Sequence, residues 1–126
     1  MFKEIMISII IIILIFSLDI ITQTYTKESI LETSSELASL KEEIKRQNNN
    51  LNDNIDDVSK NWEKRRAKLS YFIEHDELEK VETNLTNIKS FIEEAEFDMA
   101  ISSIDEAEYI LEHIKEKNAF NLENIF

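Results

Sequence analysis

Residues 76–96, DELEKVETNLTNIKSFIEEAE, carry the most regular apolar pattern in the sequence. The apolar side chains recur every three or four residues, at Leu78, Val81, Leu85, Ile88, Ile92 and Ala95. This spacing places them along one face of an α-helix, because the helix completes a turn about every 3.6 residues. Asp76 and Glu79, three residues apart, form an aspartate variant of the capping box, so we expect the helix to begin at Asp76.

The following stretch, residues 97–117, FDMAISSIDEAEYILEHIKEK, has a second apolar face. Its members are Ala100, Ile101, Ile104, Ala107, Leu111 and Ile114. A short turn around residues 96–98 separates two helices of about 20 residues each, or roughly 30 Å. Because helices of equal length joined by a short turn pack against each other, the sequence predicts an antiparallel hairpin of residues 76–96 and 98–117.

Two further apolar stripes lie upstream, on either side of an amide-rich segment. The first consists of Ile30, Leu37, Leu40 and Ile44, and the second of Leu51, Ile55, Val58, Trp62, Leu69, Phe72 and Ile73. Between them, residues 47–54 (QNNNLNDN) predict a bend near residues 48–50, since amide side chains compete with helical backbone hydrogen bonds. A weak stretch of continuous helix is the alternative. The segment before the bend either stands as a stalk or pairs with the next helix as a second hairpin.

The N-terminal segment, MFKEIMISIIIIILIFSLDIITQ, is free of charge over residues 5–18 and apolar again after Asp19. A membrane span needs about 20 residues and the apolar core of a signal peptide about 7–15, so length alone does not decide between them. We expect an uncleaved anchor, because no small-residue cleavage pattern follows and Tyr25 suits the headgroup region. A cleaved signal is the alternative. A buried helix is disfavoured, because nine of the sixteen residues 6–21 are Ile and surround the helix.

The predicted architecture is all-α: one N-terminal transmembrane helix followed by a small antiparallel helical bundle, built as two hairpins or as a long helix plus a hairpin. Its parts are a membrane anchor (1–21), a juxtamembrane helix with the amide-rich bend (22–49) and a bundle domain (50–126). Lys3 precedes the span and acidic residues dominate after it, so the positive-inside rule places the bundle outside the cytoplasm. The apolar C-terminal tail is expected to fold back onto the bundle.

Composition excludes several classes of protein. After residue 21 the chain keeps 13 of its 14 basic and 24 of its 26 acidic residues, a net charge of −11, which argues against binding nucleic acid or lying flat on anionic lipid. The sequence contains no Gly, Pro or Cys. Phosphate-binding loops and nucleophile elbows need Gly, so the sequence predicts neither an enzyme nor a cofactor. Disulfides need Cys, so no disulfide is expected either.

Several segments resemble an uncharacterised bacterial family, catalogued as domain of unknown function four-three-six-three. They are Trp62, residues 70–82 (SYFIEHDELEKVE), Asp98 and Ala100 at a helix start, residues 111–117 (LEHIKEK) and the terminal NIF. The likeness is strongest from Trp62 onwards and weak before Asn50, where the family usually has an acidic turn. The resemblance implies a short helical protein with one N-terminal hydrophobic segment, no established activity, and a multi-pass membrane protein as partner.

Two sets of side chains are candidate sites. His75, Glu79 and His113 are expected to converge at one end of the hairpin, and His and carboxylate groups on facing helices are ligands in helical-bundle metal sites. The ordinary interpretation is that each His is a partly exposed residue at a helix end, and this interpretation is favoured.

The second set, for contact with a partner, is Trp62, Arg65, Arg66, Phe120 and Phe126. An intramolecular role, with Trp62 in the core and both Arg side chains paired with Glu of the hairpin, is favoured for the first three. The sequence therefore predicts a membrane-tethered interaction module that binds another protein, with a metal-binding or sensing module on His75, Glu79 and His113 as the alternative.

Overall fold

A computed structural model describes the backbone of residues 1–125 and the side chains of residues 1–119. Its four helices are α1 (Phe2–Lys45), α2 (Leu51–Leu69), α3 (His75–Glu93) and α4 (Phe97–Ile125). No β-strand occurs within residues 1–125. The all-α fold class predicted from the sequence is confirmed. The predicted fold-back of the tail concerns residues 120–126, whose side chains lie outside the described residues.

The four helices form a closed ring. Helix α1 packs against α2 and α4, and α3 packs against the same two helices. The connections between the helices are short. Contacts between α1 and α2 pair late residues of one helix with early residues of the other: Glu43 contacts Asn54, and Glu32 contacts Arg65. Each helix is therefore antiparallel to its neighbours, and the chain folds as two hairpins side by side, one of the two forms that the sequence predicts.

One hydrophobic core runs through the ring. It contains the apolar positions of all four helices: Ile30, Leu37, Leu40, Ile44, Leu51, Ile55, Val58, Trp62, Leu69, Leu78, Val81, Leu85, Ile88, Ile92, Ala100, Ile104, Ala107, Leu111 and Ile114. Each large aliphatic side chain buried in this way stabilises the fold by about 1.5–3 kcal/mol relative to exposure. The C-terminal part of α1 is thus the fourth wall of the bundle.

Small polar residues complete the buried face of α1. Thr26 and Thr33 are fully buried, and with the apolar residues they give buried positions every three or four residues from 26 to 44. The Thr33 hydroxyl donates to the Ser29 carbonyl oxygen at 2.8 Å, and that of Thr26 to the Thr22 carbonyl oxygen at 2.8 Å. Because these hydroxyls are satisfied within the helix, their burial carries no large desolvation cost.

The N-terminal part of α1 projects beyond the bundle. In the described part of the chain, α1 is the one helix long and apolar enough to cross a membrane, with a mean hydropathy of 2.9 over 18 residues. No part of that window is buried within the chain. The helix shows no break between the apolar segment and the bundle, so the two are joined by continuous helix rather than by a linker.

Helices α1 and α3 end in left-handed turns made without Gly. Gln47 has φ 55° and Ala95 has φ 57°. The Glu96 amide donates to the Phe91 carbonyl oxygen, and the Asn48 amide donates to the Glu43 carbonyl oxygen, as in the Schellman ending of a helix. Ala95 therefore belongs to the turn and is exposed, which corrects its predicted place on the apolar face of α3.

The connection between α2 and α3, residues 70–74, differs from the prediction in two ways. Helix α2 ends at Leu69, so Phe72, predicted on its apolar stripe, lies in the turn and is 38% exposed. Helix α3 begins at His75 after Glu74, and no side chain caps it. The predicted capping box at Asp76 is therefore wrong: Asp76 lies inside the first turn, where its charge favours the helix dipole.

Candidate functional site

The basic cluster of α2 is occupied by contacts within the bundle. Arg65 reaches α1, where its guanidinium donates to Glu36 at 2.8 and 3.0 Å and to Glu32 at 3.0 Å. The pKa of Arg65 is raised, mainly by the hydrogen bond to Glu36, and burial lowers it by a smaller amount. Arg66 turns the other way and pairs with Glu82 of α3 at 2.6 Å. The hairpin partner predicted from the sequence is present for Arg66, whereas Arg65 binds α1.

Trp62 lies between these two contacts, in the core. Its side chain is 1% exposed, and its Nε1 has no hydrogen-bond partner within the described part of the chain. Because a buried indole cannot contact a partner protein without opening the bundle, Trp62 serves packing in this fold. Phe120 and Phe126, the other candidates for partner contact, lie outside the described side chains.

The two His side chains lie in separate pairs. His75 Nε2 is 4.0 Å from the Glu79 carboxylate on the same helix, and His113 Nε2 is 3.9 Å from Glu77 on α3. Lys117 also reaches Glu77, at 3.3 Å. Within the described residues, no group of three His, Cys, Asp or Glu side chains is placed to hold a metal ion. The structure thus brings His75 close to Glu79 but leaves His113 with Glu77.

An ion pair links α1 to α4, next to the half-buried carboxyl group of Glu108. Lys41 Nζ lies 2.6 Å from the Asp105 carboxylate, and this hydrogen bond raises the pKa of Lys41. Glu108, one turn further along α4, is half-buried and has no ion pair of its own among the described contacts. Burial raises the pKa of Glu108, partly offset by the charge of Lys41.

Aromatic side chains gather at the end of the bundle nearest the apolar segment, which we call the proximal end. The Tyr25 ring of α1 meets Phe72 edge-on, with 6.3 Å between the ring centroids. The Lys68 ammonium lies 5.7 Å from the centroid of the same Tyr25 ring. Tyr71, next to Phe72, is 88% exposed. From the sequence, Tyr25 is expected in the headgroup region, whereas Phe72 is expected on the apolar stripe of α2 and Tyr71 carries no expectation, because the exposure of both depends on the position of the turn.

Charge is distributed unevenly along the bundle. The distal half, residues 35–62 and 83–111, has 13 acidic and five basic side chains, a net charge of −8. The proximal half, residues 22–34, 63–82 and 112–119, has ten acidic and eight basic side chains, a net charge of −2. The acidic character of the chain therefore resides mainly at the end far from the apolar segment.

The fold and these surfaces define a class: an up-and-down four-helix bundle whose first helix extends into an exposed apolar segment. The chain belongs to the family described as Domain of unknown function (DUF4363), whose model matches residues 20–125. The match begins where the apolar segment ends and covers the whole bundle. No curated protein and no solved structure matches the chain.

Proposed function

We propose that this protein is a membrane-tethered, non-enzymatic interaction module whose distal half binds a basic surface of another protein outside the cytoplasm. The observation that carries the proposal is the net charge of −8 on the distal half of a bundle that continues directly from an apolar helix. An uneven charge of this size steers and selects partners, because a complementary basic surface is attracted and other acidic surfaces are repelled.

The tether in this proposal is the N-terminal part of α1. Residues 5–21 make a helix of about 25 Å, close to the thickness of the hydrocarbon core of a bilayer, and Lys3 and Glu4 lie before this stretch. The side chains of residues 5–21 are exposed on every face, which is costly in water and favourable in lipid. Lys3 precedes the span, so the positive-inside rule favours a bundle on the outer side.

The continuity of α1 limits where the partner can bind. The distal half begins 14 residues after Ile21 on α1, so it stands about 20 Å or more above the hydrocarbon boundary. A partner in the same membrane must therefore carry a basic extramembrane part that rises to this height. A multi-pass membrane protein with a folded outer domain or long outer loops has this shape.

A catalytic role receives no support from the contacts described above. Charged side chains of neighbouring helices pair with one another, as Arg65 does with Glu36 and Lys41 with Asp105. Ion pairs of this kind fix the packing of helices and do not activate a nucleophile.

Site-specific photocrosslinking in the native membrane tests the proposal. A photoreactive amino acid replaces Ser102, exposed in the distal half, or Leu31, exposed in the proximal half. We expect a discrete protein adduct from position 102 that weakens as salt is raised, since exposed charges are screened by ions. Position 31 should give no such adduct.

Matched charge variants then test whether the acidic half is responsible. The distal variant carries Asp53→Asn, Asp57→Asn, Glu93→Gln and Glu94→Gln. The proximal control carries Glu28→Gln, Glu63→Gln, Asp76→Asn and Glu116→Gln. All eight positions are exposed, and each variant removes four negative charges. The distal variant should lose the adduct and the proximal variant should retain it; an adduct that survives distal neutralisation, or none at position 102, contradicts the proposal.

A further inference from the structure

The turn between α2 and α3 exposes two neighbouring aromatic side chains at the proximal end. Tyr71 is 88% exposed and Phe72 is 38% exposed, while Ile73, next in sequence, packs against the core. The largely exposed ring of Tyr71 contributes little to the packing of the bundle, and the contact with Tyr25 covers Phe72 only in part. Adjacent exposed aromatics of this kind indicate a contact surface.

The height of this turn follows from its contact with α1. Phe72 touches Tyr25, with 6.3 Å between ring centroids, so the turn lies at the level of Tyr25. Tyr25 is four residues beyond Ile21, or about 6 Å further along the helix. The headgroup region of each leaflet is about 5–7 Å thick. When residues 5–21 lie in the hydrocarbon core, Tyr25 and the turn both lie in the headgroup layer.

The chemistry of the proximal end fits that layer. Tyr side chains are enriched at membrane interfaces, because the ring enters the apolar boundary while the hydroxyl remains with the headgroups. Lys68, over the Tyr25 ring at 5.7 Å, provides a cation at the level of the phosphates. The proximal half also has a net charge of −2 against −8 for the distal half, so electrostatic repulsion from anionic lipid is weakest here.

We propose that Tyr71 and Phe72 insert into the headgroup layer of the membrane that holds α1, as a second contact beside the anchor. A single helix leaves a bundle free to tilt, whereas two contacts on different helices restrict the tilt and keep the acidic half pointing away from the lipid. This inference rests on the membrane tether of the proposed function, but it holds for either orientation of the chain, because both leaflets have a headgroup layer.

Single-cysteine spin labelling of the full chain tests the inference. The sequence contains no Cys, so one substitution at a time gives one labelled site. Tyr71→Cys reports on the turn, Leu14→Cys on the anchor, and Tyr109→Cys on an exposed site of α4 far from the membrane. Each protein is reconstituted in vesicles of phosphatidylcholine and phosphatidylglycerol, and collisions of the label with oxygen and with a water-soluble nickel complex are compared.

We expect the label at position 71 to lose most of the nickel accessibility seen at position 109, and the label at position 14 to be accessible to oxygen alone. Tyr109 is 75% exposed and Tyr71 is 88% exposed, so the chain itself shields neither site from the aqueous probe. A label at position 71 as accessible to nickel as that at position 109 overturns the inference.

The label at position 14 separates this failure from failure of the tether. If position 14 is in lipid and position 71 is in water, the lipid contact is wrong and the tether stands. If position 14 is also in water, the tether itself is wrong. A label at position 71 that is accessible in vesicles but protected in native membranes indicates a protein docked on the turn, which also overturns the lipid contact.

Discussion

The guanidinium of Arg65 on α2 donates two hydrogen bonds to the carboxylate of Glu36 on α1, with Nη1 3.0 Å from Oε2 and Nη2 2.8 Å from Oε1. Arg65 also donates to the Thr33 hydroxyl at 3.0 Å, and its side chain is 16% exposed. A two-pronged contact of this kind fixes orientation as well as distance. It sets the register of α2 against the helix that continues into the apolar segment.

Arg65→Ala should therefore destabilise the bundle by about 1–3 kcal/mol, since it removes a partly buried, charge-assisted contact and leaves Glu36 without a charged partner, although Asn61 still donates to its carboxylate. Arg65→Lys should recover only part of the loss, because an ammonium cannot form the two parallel hydrogen bonds. Thermal unfolding of the full chain in detergent, followed by the fluorescence of its one Trp, measures both. Lys64→Ala, at an exposed neighbouring position, is the control and should change stability little.

Ala95→Gly should stabilise the protein. Ala95 holds a left-handed backbone with φ 57°, a conformation that is costly for a residue with a Cβ and easy for Gly. We expect a gain of about 0.5–1 kcal/mol in the free energy of unfolding. Ala38→Gly, at an exposed position inside α1, should have the opposite effect by a similar amount, because Gly weakens a helix interior. Equal effects of the two substitutions would contradict the assignment of the left-handed turn.

The hairpin of α3 and α4 could be predicted from sequence because most of its buried positions are apolar, with Asn84 and Ser103 as buried polar exceptions. The pairing of α1 with α2 could not be decided, because α1 uses Thr26 and Thr33 where an unbroken apolar stripe would need Val or Ile. A Thr side chain whose hydroxyl donates to its own helix can fill a buried position much as Val does, and Thr26 donates to the Thr22 carbonyl oxygen in this way. Counting buried Thr with the apolar residues restores the helical period of α1.

The apolar pattern predicts an end for α2 beyond Leu69, because apolar residues also occupy the turn that follows the helix. Phe72 and Ile73 follow Leu69 at three and four residues, so they continue the apolar period although the chain leaves the helix at Leu69. Only Ile73 packs against the core, whereas Phe72 points to Tyr25 and solvent. Periodicity cannot distinguish an apolar residue that fills the core from one exposed in a turn. For the same reason the sequence did not predict the proximal aromatic contact.

A zinc titration tests the alternative of a metal-binding module. We expect no binding at micromolar zinc, because His75 and His113 lie in two separate pairs, with Glu79 and Glu77, and a stable zinc site needs three or four ligands. Calorimetry on the full chain in detergent and the melting temperature with and without metal are the measurements. Tight binding that is lost in the double variant His75→Ala, His113→Ala would favour the metal-binding module instead.

Glu108→Gln should stabilise the bundle at neutral pH. Burial raises the pKa of Glu108 in the folded state above that in the unfolded chain, so folding favours the protonated carboxyl and the ionised form weakens the fold. The stability gained by the substitution should be full at neutral pH and should disappear as pH falls below the unfolded pKa, where both states are protonated. Melting temperatures across the acidic range measure this, with the exposed Glu106→Gln as a control that should show no comparable trend.

The orientation of the chain depends on very little charge, which makes it sensitive to one substitution. Lys3 is the one basic side chain before the apolar segment, and Asp or Glu contributes little to topology. A C-terminal alkaline phosphatase fusion should be active, and a C-terminal green fluorescent protein exported by the general secretory route should be dark. Lys3→Glu should shift part of the population toward the opposite pattern, since it removes this basic side chain.

If the unsubstituted chain gives a fluorescent green fluorescent protein fusion and an inactive alkaline phosphatase fusion, the bundle lies in the cytoplasm. The acidic distal half would then face cytoplasmic partners, and the outward orientation in the proposed function would be wrong while the bundle and its charge remain unchanged. Mass spectrometry of the mature protein decides the remaining alternative. A chain that starts after Ile21 has lost its tether as a cleaved signal. Helix α1 would then no longer hold the turn of Tyr71 and Phe72 next to the membrane.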